Sequence, residues 1–411
     1  MRCTCGGDAD CSALPPPAPG ARWLPQAAVA KRTLFYTEGS EELLVARRAA
    51  AAWSLASANR RAARLRALEA DEAAAEGWAE AQRRALARAA KAELACSELG
   101  DERPLSACAF SGGGGGGGDV LVTAAWSGAV KVWDRQGDEL KRSAAWLASA
   151  ERVTGVALHP EACAGGGGSD AARLMTASAD GTATLWSMSG QSRATLKGHL
   201  ARLARCAWHP SGALVATASY DKTWRLWDVE TGAELLLQEG HSRGVYCVAF
   251  QPDGALCATG GMDELVRVWD VRTGRCVHVT KGHARPVLAC DFSPDGFSLA
   301  SGSEDNTVRT WDLRRRMCTA TLPAHVNLIS ALKYSPEADG AVLATASFDG
   351  TAALWSSRDG RLVRRLQAHE GKVTDIAVDA QGRVATVAHD RTVKLWSPPP
   401  TDEDDDAPME E

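Results

Sequence analysis

The chain has 411 residues, with 46 Lys and Arg against 51 Asp and Glu and a net charge of −5, so the molecule as a whole is not a basic nucleic-acid magnet. No run of about 18 apolar residues is present to cross a membrane as a helix, and the N-terminus lacks a signal-peptide pattern. Twelve cysteines are too few for a disulfide scaffold of this length, which favours a reducing cytosol or nucleus.

In chain order, residues 1–32 are rich in Gly, Pro and Ala and are expected to be disordered. Cys3, Cys5 and Cys11 lie close together there, but no second ligand pair follows at a spacing zinc would use, so no metal site is expected. Residues 33–93 read as helical. "EGSEELLVARRAAAAWSLA" offers Ser40 as an N-cap, with Glu41 and Glu42 in the first turn where the helix dipole favours acids. After a break at "SAN", residues 57–59, a second helical stretch follows, with Leu65 and Leu68 on an apolar stripe. Arg60, Arg61 and Arg64 cluster on another side; they suit a solvated face, or contact with RNA phosphate or an acidic partner.

From residue 94 the pattern becomes repetitive. Trp133, Trp186, Trp227, Trp269, Trp311, Trp355 and Trp396 recur at spacings of 53, 41, 42, 42, 44 and 41 residues. A period near 42 indicates a repeat architecture. Six residues before the tryptophan stands Asp180, Asp221, Asp263, Asp305, Asp349 or Asp390, with Ser127 in the first unit. Four residues earlier is Thr123, Thr176, Thr217, Thr259, Ser301, Thr345 or Thr386. Upstream, His199, His241, His283, His325 and His369 each follow Gly or Ala and take five of the nine histidines. Runs such as "GVYCVAF" and "LVRVWD", separated by "QPDG" and "VRTG", read as short strands and tight turns.

These marks, in register over some 300 residues, resemble the WD40 repeat. The resemblance implies an all-β, seven-bladed β-propeller over residues 94–397, preceded by the helical segment, with four antiparallel strands per blade. It implies that Asp221 lies in the turn between second and third strands and bonds His199. The histidine would pass the network to Thr217 or Ser219, and the hydroxyl would reach the Trp227 indole. The equivalent sets are His241, Thr259, Asp263 and Trp269; His283, Ser301, Asp305 and Trp311; His325, Thr345, Asp349 and Trp355; and His369, Thr386, Asp390 and Trp396. A group copied around a ring suits a structural brace, whereas an active site needs one of each. Units one and two lack the full set and should be the softest.

The last unit ends at "TVKLWS", residues 392–397, without an outer strand; "LACSELG", residues 94–100, is expected to supply it and latch the ring. The glycine runs 112–118 and 165–168 fall between first and second strands, and the former lacks the Lys-Ser/Thr of a phosphate loop. Residues 398–411 form an acidic, solvating tail. No catalytic set, metal spacing or nucleotide loop stands out, so no enzyme, cofactor or small-molecule substrate is expected.

Outside the repeat marks, "TLFYTEGSEELLVARR", "ELGDERPLSACAFS", "AWHPSGALVATASYDKTWRLWD" and "AHEGKVTDIAV" resemble one WD40 subfamily, the WD-repeat proteins of the U4/U6 small nuclear ribonucleoprotein and its tri-snRNP. The resemblance implies a nuclear scaffold in pre-mRNA splicing that binds other splicing proteins and U4 and U6 snRNA, directly or indirectly. The small splicing-factor motif domain of that family is not recognisable in residues 1–30. The alternative is a WD40 adaptor or substrate receptor of a ubiquitin-ligase or chromatin complex, capturing a peptide at the central channel.

Overall fold

The computed structural model describes residues 41–111, 120–137, 139–160 and 171–398. The expectations for residues 1–32, the Ser40 cap, both glycine runs and the acidic tail lie outside these residues. The described strands form seven four-stranded antiparallel sheets arranged as a β-propeller. Blade three is typical, running outward through Leu203–Trp208, Leu214–Ser219, Trp224–Asp228 and Glu234–Gln238. Its second strand, "LVATAS", is buried throughout, and small Ala216 and Ala218 let neighbouring sheets approach closely.

Every innermost strand slips register by one residue at the same place, as between Leu203 and Arg205 or Val373 and Asp375. A second slip precedes the repeat tryptophan, as between Leu226 and Trp227. Such bulges increase local twist, and they recur because each blade needs it. The core lies between blades: Met175, Ala177 and Leu185 of blade two pack with Trp208, Val215 and Trp227 of blade three.

Strand Glu93–Leu99 closes the ring. It pairs antiparallel with Thr392–Ser397, matching Leu94 with Trp396 and Leu99 with Thr392, and Gly100 N–H donates to Arg391 O at 2.8 Å. Blade seven therefore holds the first strand of the propeller beside the last three, and Ala95 and Cys96 pack with Val393 and Leu395. Pairing here covers an edge that would otherwise be exposed.

The helical segment differs from the sequence expectation. Helix α1, Glu41–Ala70, runs unbroken through residues 57–59. The break falls at Asp71, whose extended backbone ends α1 and whose carboxylate accepts from Ala73 N to cap α2, Glu72–Ala90. Asn and Ser lower helix propensity only slightly, whereas an Asp with a free N-terminal amide to cap defines a new start. Of the two leucines expected on the apolar stripe, Leu65 is exposed and Leu68 is half-buried. The packing face runs through Leu43, Arg47, Ala50 and Ser54 to Arg61, and most of its anchors are polar.

Arg61 pairs with buried Asp253 at 2.6 Å and lies over Phe297 at 4.5 Å. Gly296 has φ 72°, and a Cβ there would land on the Arg61 guanidinium. Arg64 and the Trp78 indole share Asp339, at 2.9 and 2.8 Å, and Arg88 reaches Glu337 at 2.9 Å. The partners belong to loops between first and second strands, so both helices lie on the propeller face opposite the turns that carry the repeat aspartates. Of the three clustered arginines, Arg61 and Arg64 hold the helix to the propeller, and Arg60 is exposed. Arg61→Ala/Arg64→Ala should release α1: limited trypsin digestion should cleave within residues 41–70 at least about tenfold faster than in the parent, because opening governs cleavage. An unchanged cleavage rate would show that these ion pairs do not hold the helix.

Candidate partner-binding faces

In blade three the Trp227 Nε1–H donates to Thr217 Oγ1 at 2.9 Å, Thr217 Oγ1 meets His199 Nε2 at 2.7 Å, and His199 Nδ1 meets Asp221 Oδ2 at 2.7 Å. Asp221 also accepts from Leu200 N, Thr223 N and Thr223 Oγ1. The same relay joins Trp269, Thr259, His241 and Asp263 at 2.8, 2.9 and 2.9 Å. It joins Trp311, Ser301, His283 and Asp305 at 2.9, 2.8 and 2.8 Å. It joins Trp355, Thr345, His325 and Asp349 at 3.1, 2.9 and 3.1 Å. It joins Trp396, Thr386, His369 and Asp390 at 3.0, 2.9 and 2.7 Å. Of the two hydroxyls considered for blade three, Thr217 completes the relay; Ser219 Oγ instead donates to the Ala201 and Arg202 carbonyls.

The relay has one direction. An ionised Asp is acceptor only, so His donates from Nδ1; a neutral imidazole then accepts at Nε2 from the hydroxyl, whose lone pair takes the indole N–H. Electrostatics agree. Burial opposes ionisation of Asp221 and Asp305, yet hydrogen bonds from histidine and threonine hold both carboxyls well below the ordinary range. Burial likewise opposes ionisation of Asp263, Asp349 and Asp390, and is outweighed by His241 with the Ser242 and Leu265 amides at the first and by threonine and histidine at the other two. Burial lowers His325 and His369 despite their aspartate partners, keeping the rings neutral.

Blades one and two carry rebuilt braces. In blade one, Asp101 occupies the histidine slot, accepts from Ser127 Oγ, which stands at the turn position that other blades give to Asp, and pairs with Lys131 at 3.3 Å. The Trp133 indole still donates to Thr123 at 2.9 Å. In blade two, Ser149 Oγ lies 3.3 Å from Asp180 and accepts from Ser178 Oγ at 2.9 Å, while Trp186 keeps Thr176 at 2.9 Å.

The axis is tied by charge. Arg205 of blade three crosses to Asp375 of blade seven at 2.8 Å, and Asp375 also accepts from Cys108 N of blade one. Burial opposes the charge on Arg205, and Asp375 more than offsets it. Above this tie, on the face of the brace turns, opens a funnel of about 170 Å³.

The funnel's rim was not singled out by sequence reasoning. It is set by the residue just before the turn position of each brace, among them Trp126 before Ser127, and Tyr220, Phe348 and His389 before the brace acids. The N–H of that residue bonds the carbonyl just before the innermost strand, as in Tyr220 N to Arg202 O at 3.1 Å and His389 N to Lys372 O at 2.9 Å. The brace thus positions two rim residues per blade. Arg152 lies over Trp126 at 5.6 Å, Arg202 over Tyr220 at 3.9 Å and Lys372 over Phe348 at 5.2 Å. The signal that could have found them is positional: aromatics directly before the turn position of the brace (Ser127, Asp221 and Asp349), and cations directly before the innermost strand.

Thr259→Val strips the partner from both Trp269 Nε1 and His241 Nε2, and should cost about 2 kcal/mol or more in denaturant unfolding. Ser242→Ala, an exposed neighbour, should stay within about 0.5 kcal/mol; equal effects would remove the brace as a stabilising element. For His325 and His369, whose folded pKa lies below the unfolded value of about 6.5, stability is full above that value and is lost as pH falls through the folded pKa. For the five aspartates the same sign applies below about 3.9. Scanning calorimetry should therefore show the melting temperature begin to fall below about pH 6.5 and fall further below about pH 4; a rise between pH 7 and 5 would contradict the neutral relay.

A family model for the WD domain, G-beta repeat, matches residues 190–228, 233–270, 274–312, 316–356 and 360–397. It passes over the blades with rebuilt braces. The chain is 48% identical over 379 residues to the U4/U6 small nuclear ribonucleoprotein PRP4-like protein of Arabidopsis thaliana, covering 90% of this chain and 64% of that protein. It is 40% identical over 186 residues to the uncharacterized WD repeat-containing protein C227.12 of Schizosaccharomyces pombe, covering 45% of this chain and 38% of the relative. It is 32% identical over 165 residues to U4/U6 small nuclear ribonucleoprotein PRP4 of Saccharomyces cerevisiae, covering 39% and 32%. The chain thus spans about a third to two thirds of the length of these relatives. Repeats, braces and relatives together make this chain a member of the WD40-repeat family.

Proposed function

We propose that the protein is a non-enzymatic scaffold of the U4/U6 small nuclear ribonucleoprotein and its tri-snRNP, acting in the nucleus in pre-mRNA splicing. It works by binding other splicing proteins and by contacting U4 and U6 snRNA, directly or through them. One observation carries this reading: the similarity to the Arabidopsis protein covers 90% of the chain. The propeller from Glu93 to Ser397 accounts for 305 of 411 residues, or about 74%, so repeats alone do not explain that similarity. A disc with helices fastened to one face and a funnel open on the other supports this role, since it offers two chemically different surfaces on one rigid body.

The competing reading, an adaptor of a ubiquitin-ligase or chromatin complex, makes a different prediction. The tagged full chain, recovered from nuclear extract, should bring down U4 and U6 RNAs in a salt-sensitive manner. Recovery of ligase or histone-modifying subunits without either RNA would overturn the proposal. Deleting residues 41–90 should reduce RNA recovery at least about tenfold if α1 and α2 carry docking contacts, and undiminished recovery would place those contacts on the propeller.

A further inference from the structure

We propose that the edge of the helix face at blades four and five binds the phosphate backbone of double-stranded RNA. The proposal rests on the scaffold reading and deepens it: the RNA contact becomes direct and falls on one surface.

On this face each blade turns from its third strand to its outer strand. In blade four the turn joins Val266–Asp270 to Arg275–Thr280 and carries Arg272 and Arg275. In blade five it joins Thr307–Asp312 to Met317–Pro323 and carries Arg314, Arg315 and Arg316. Residues 271–274 and 313–316 include no acid, whereas the equivalent turns of blades three and six hold Glu230 and Asp359. The carboxylate beside the blade-five turn, Asp312, is committed to the backbone. It accepts from the Arg314 and Arg315 amides at 2.8 and 3.1 Å, while their guanidinium groups stand 3.7 and 3.9 Å away and are 66% and 77% exposed. Ion pairs this long and this exposed contribute little and are readily given up to a phosphate.

The backbone points the same way. Five residues after the repeat tryptophan, blades three, four and six place Gly232, Gly274 and Gly360, with φ of 69°, 69° and 64°. Blade five has Arg316 there, with φ 55°. That conformation strains an L side chain and not glycine, so the turn keeps a third guanidinium against its own backbone preference. The two turns share one field: burial lowers the pKa of His278 on the outer strand of blade four, and the charge of Arg316 lowers it further. Arg314 lies over Phe297 at 4.3 Å and Arg61 of α1 over the same ring at 4.5 Å. The turn therefore abuts α1, where the preceding residue, Arg60, is exposed.

Chemistry selects the partner. A guanidinium fork matches two phosphate oxygens, and forks spread over neighbouring blades match successive phosphates. Single-stranded RNA is held by bases stacked on aromatic rings, and Phe297 is already covered by Arg61 and Arg314. An A-form duplex presents phosphates and 2′-hydroxyls and needs no stacking platform. An acidic protein draws most of its affinity from a central buried anchor, whereas these arginines stand on exposed turns.

Fluorescence anisotropy with the purified full chain tests this. The probes are a labelled RNA duplex of about 16 base pairs, an oligouridine of about 16 nucleotides and a polyglutamate peptide of about 16 residues. The duplex should bind at least about tenfold more tightly than either of the others. Arg315→Gln/Arg316→Gln should weaken duplex binding by about tenfold or more at about 0.1 M salt, and should reduce the slope of log affinity against log salt by about two. Arg316→Gly should also weaken it while the melting temperature stays level or rises, because glycine accepts the left-handed turn; this separates binding from folding. Arg142→Gln, exposed on blade one, should change the affinity less than about twofold. Equal or tighter binding of oligouridine or polyglutamate, or indifference to both the double variant and Arg316→Gly, would overturn the proposal. Failure to bind the duplex by a chain that still recovers U4 and U6 RNAs refutes the arginine surface and leaves the scaffold. Duplex binding that these variants weaken, in a chain that recovers neither RNA nor splicing proteins, supports the surface and refutes the scaffold.

Discussion

The indole N–H of each repeat tryptophan is the constraint on which the molecule depends. A tryptophan wedged between sheets supplies a large apolar area, but its one polar hydrogen needs an acceptor once buried. The relay through hydroxyl and imidazole carries that requirement to a largely buried carboxylate in the turn, where, as at Asp221, turn amides and a neighbouring hydroxyl satisfy the remaining lone pairs. Packing, turn geometry and ionisation are thereby coupled in blades three to seven. The rebuilt braces make the same point: blade one exchanges acid for hydroxyl and blade two substitutes a pair of serines, yet Trp133 and Trp186 both keep their hydroxyl partners.

The same turns organise one face for binding. Because the residue before each brace acid is tied to the residue before the innermost strand, rim side chains stand at fixed positions around the axis. The opposite face is organised differently. There α1 and α2 dock through Arg61, Arg64, Trp78 and Arg88 onto loop carboxylates, with Ala85 and Ala89 in an apolar contact at the far end. The two faces thus differ in chemistry: helices fastened by ion pairs on one, and a funnel rimmed by aromatic and cationic side chains on the other.

The ring itself was legible because its marks are periodic and each has a local cause: a turn acid, a buried indole, a hydroxyl between them. The latch was legible because blade seven lacked a strand and residues 94–100 had strand character without a partner. The helix break was not. Asp71 interrupts what reads as a continuous helical stretch, and its capping role shows only once the chain direction changes there. The docking face of α1 was hidden for a related reason: it is built from Arg47, Ser54 and Arg61, so no apolar period betrays it, and Leu65 points to solvent instead. The rim went unnoticed because its paired aromatic and cationic residues come largely from different repeats, and only the packing of consecutive blades brings Arg152 to Trp126 and Lys372 to Phe348.

The direction of the relay can be read directly from the imidazoles. Long-range nitrogen–proton correlation spectra of the histidine-labelled protein at pH 7.5 distinguish the two neutral tautomers from each other and from imidazolium. The account predicts that His199, His241, His283, His325 and His369 all carry their proton on Nδ1 alone. Protons on Nε2, or rings averaging freely between tautomers, would mean that the hydroxyls do not donate to the histidines, and would contradict the direction assigned to the relay.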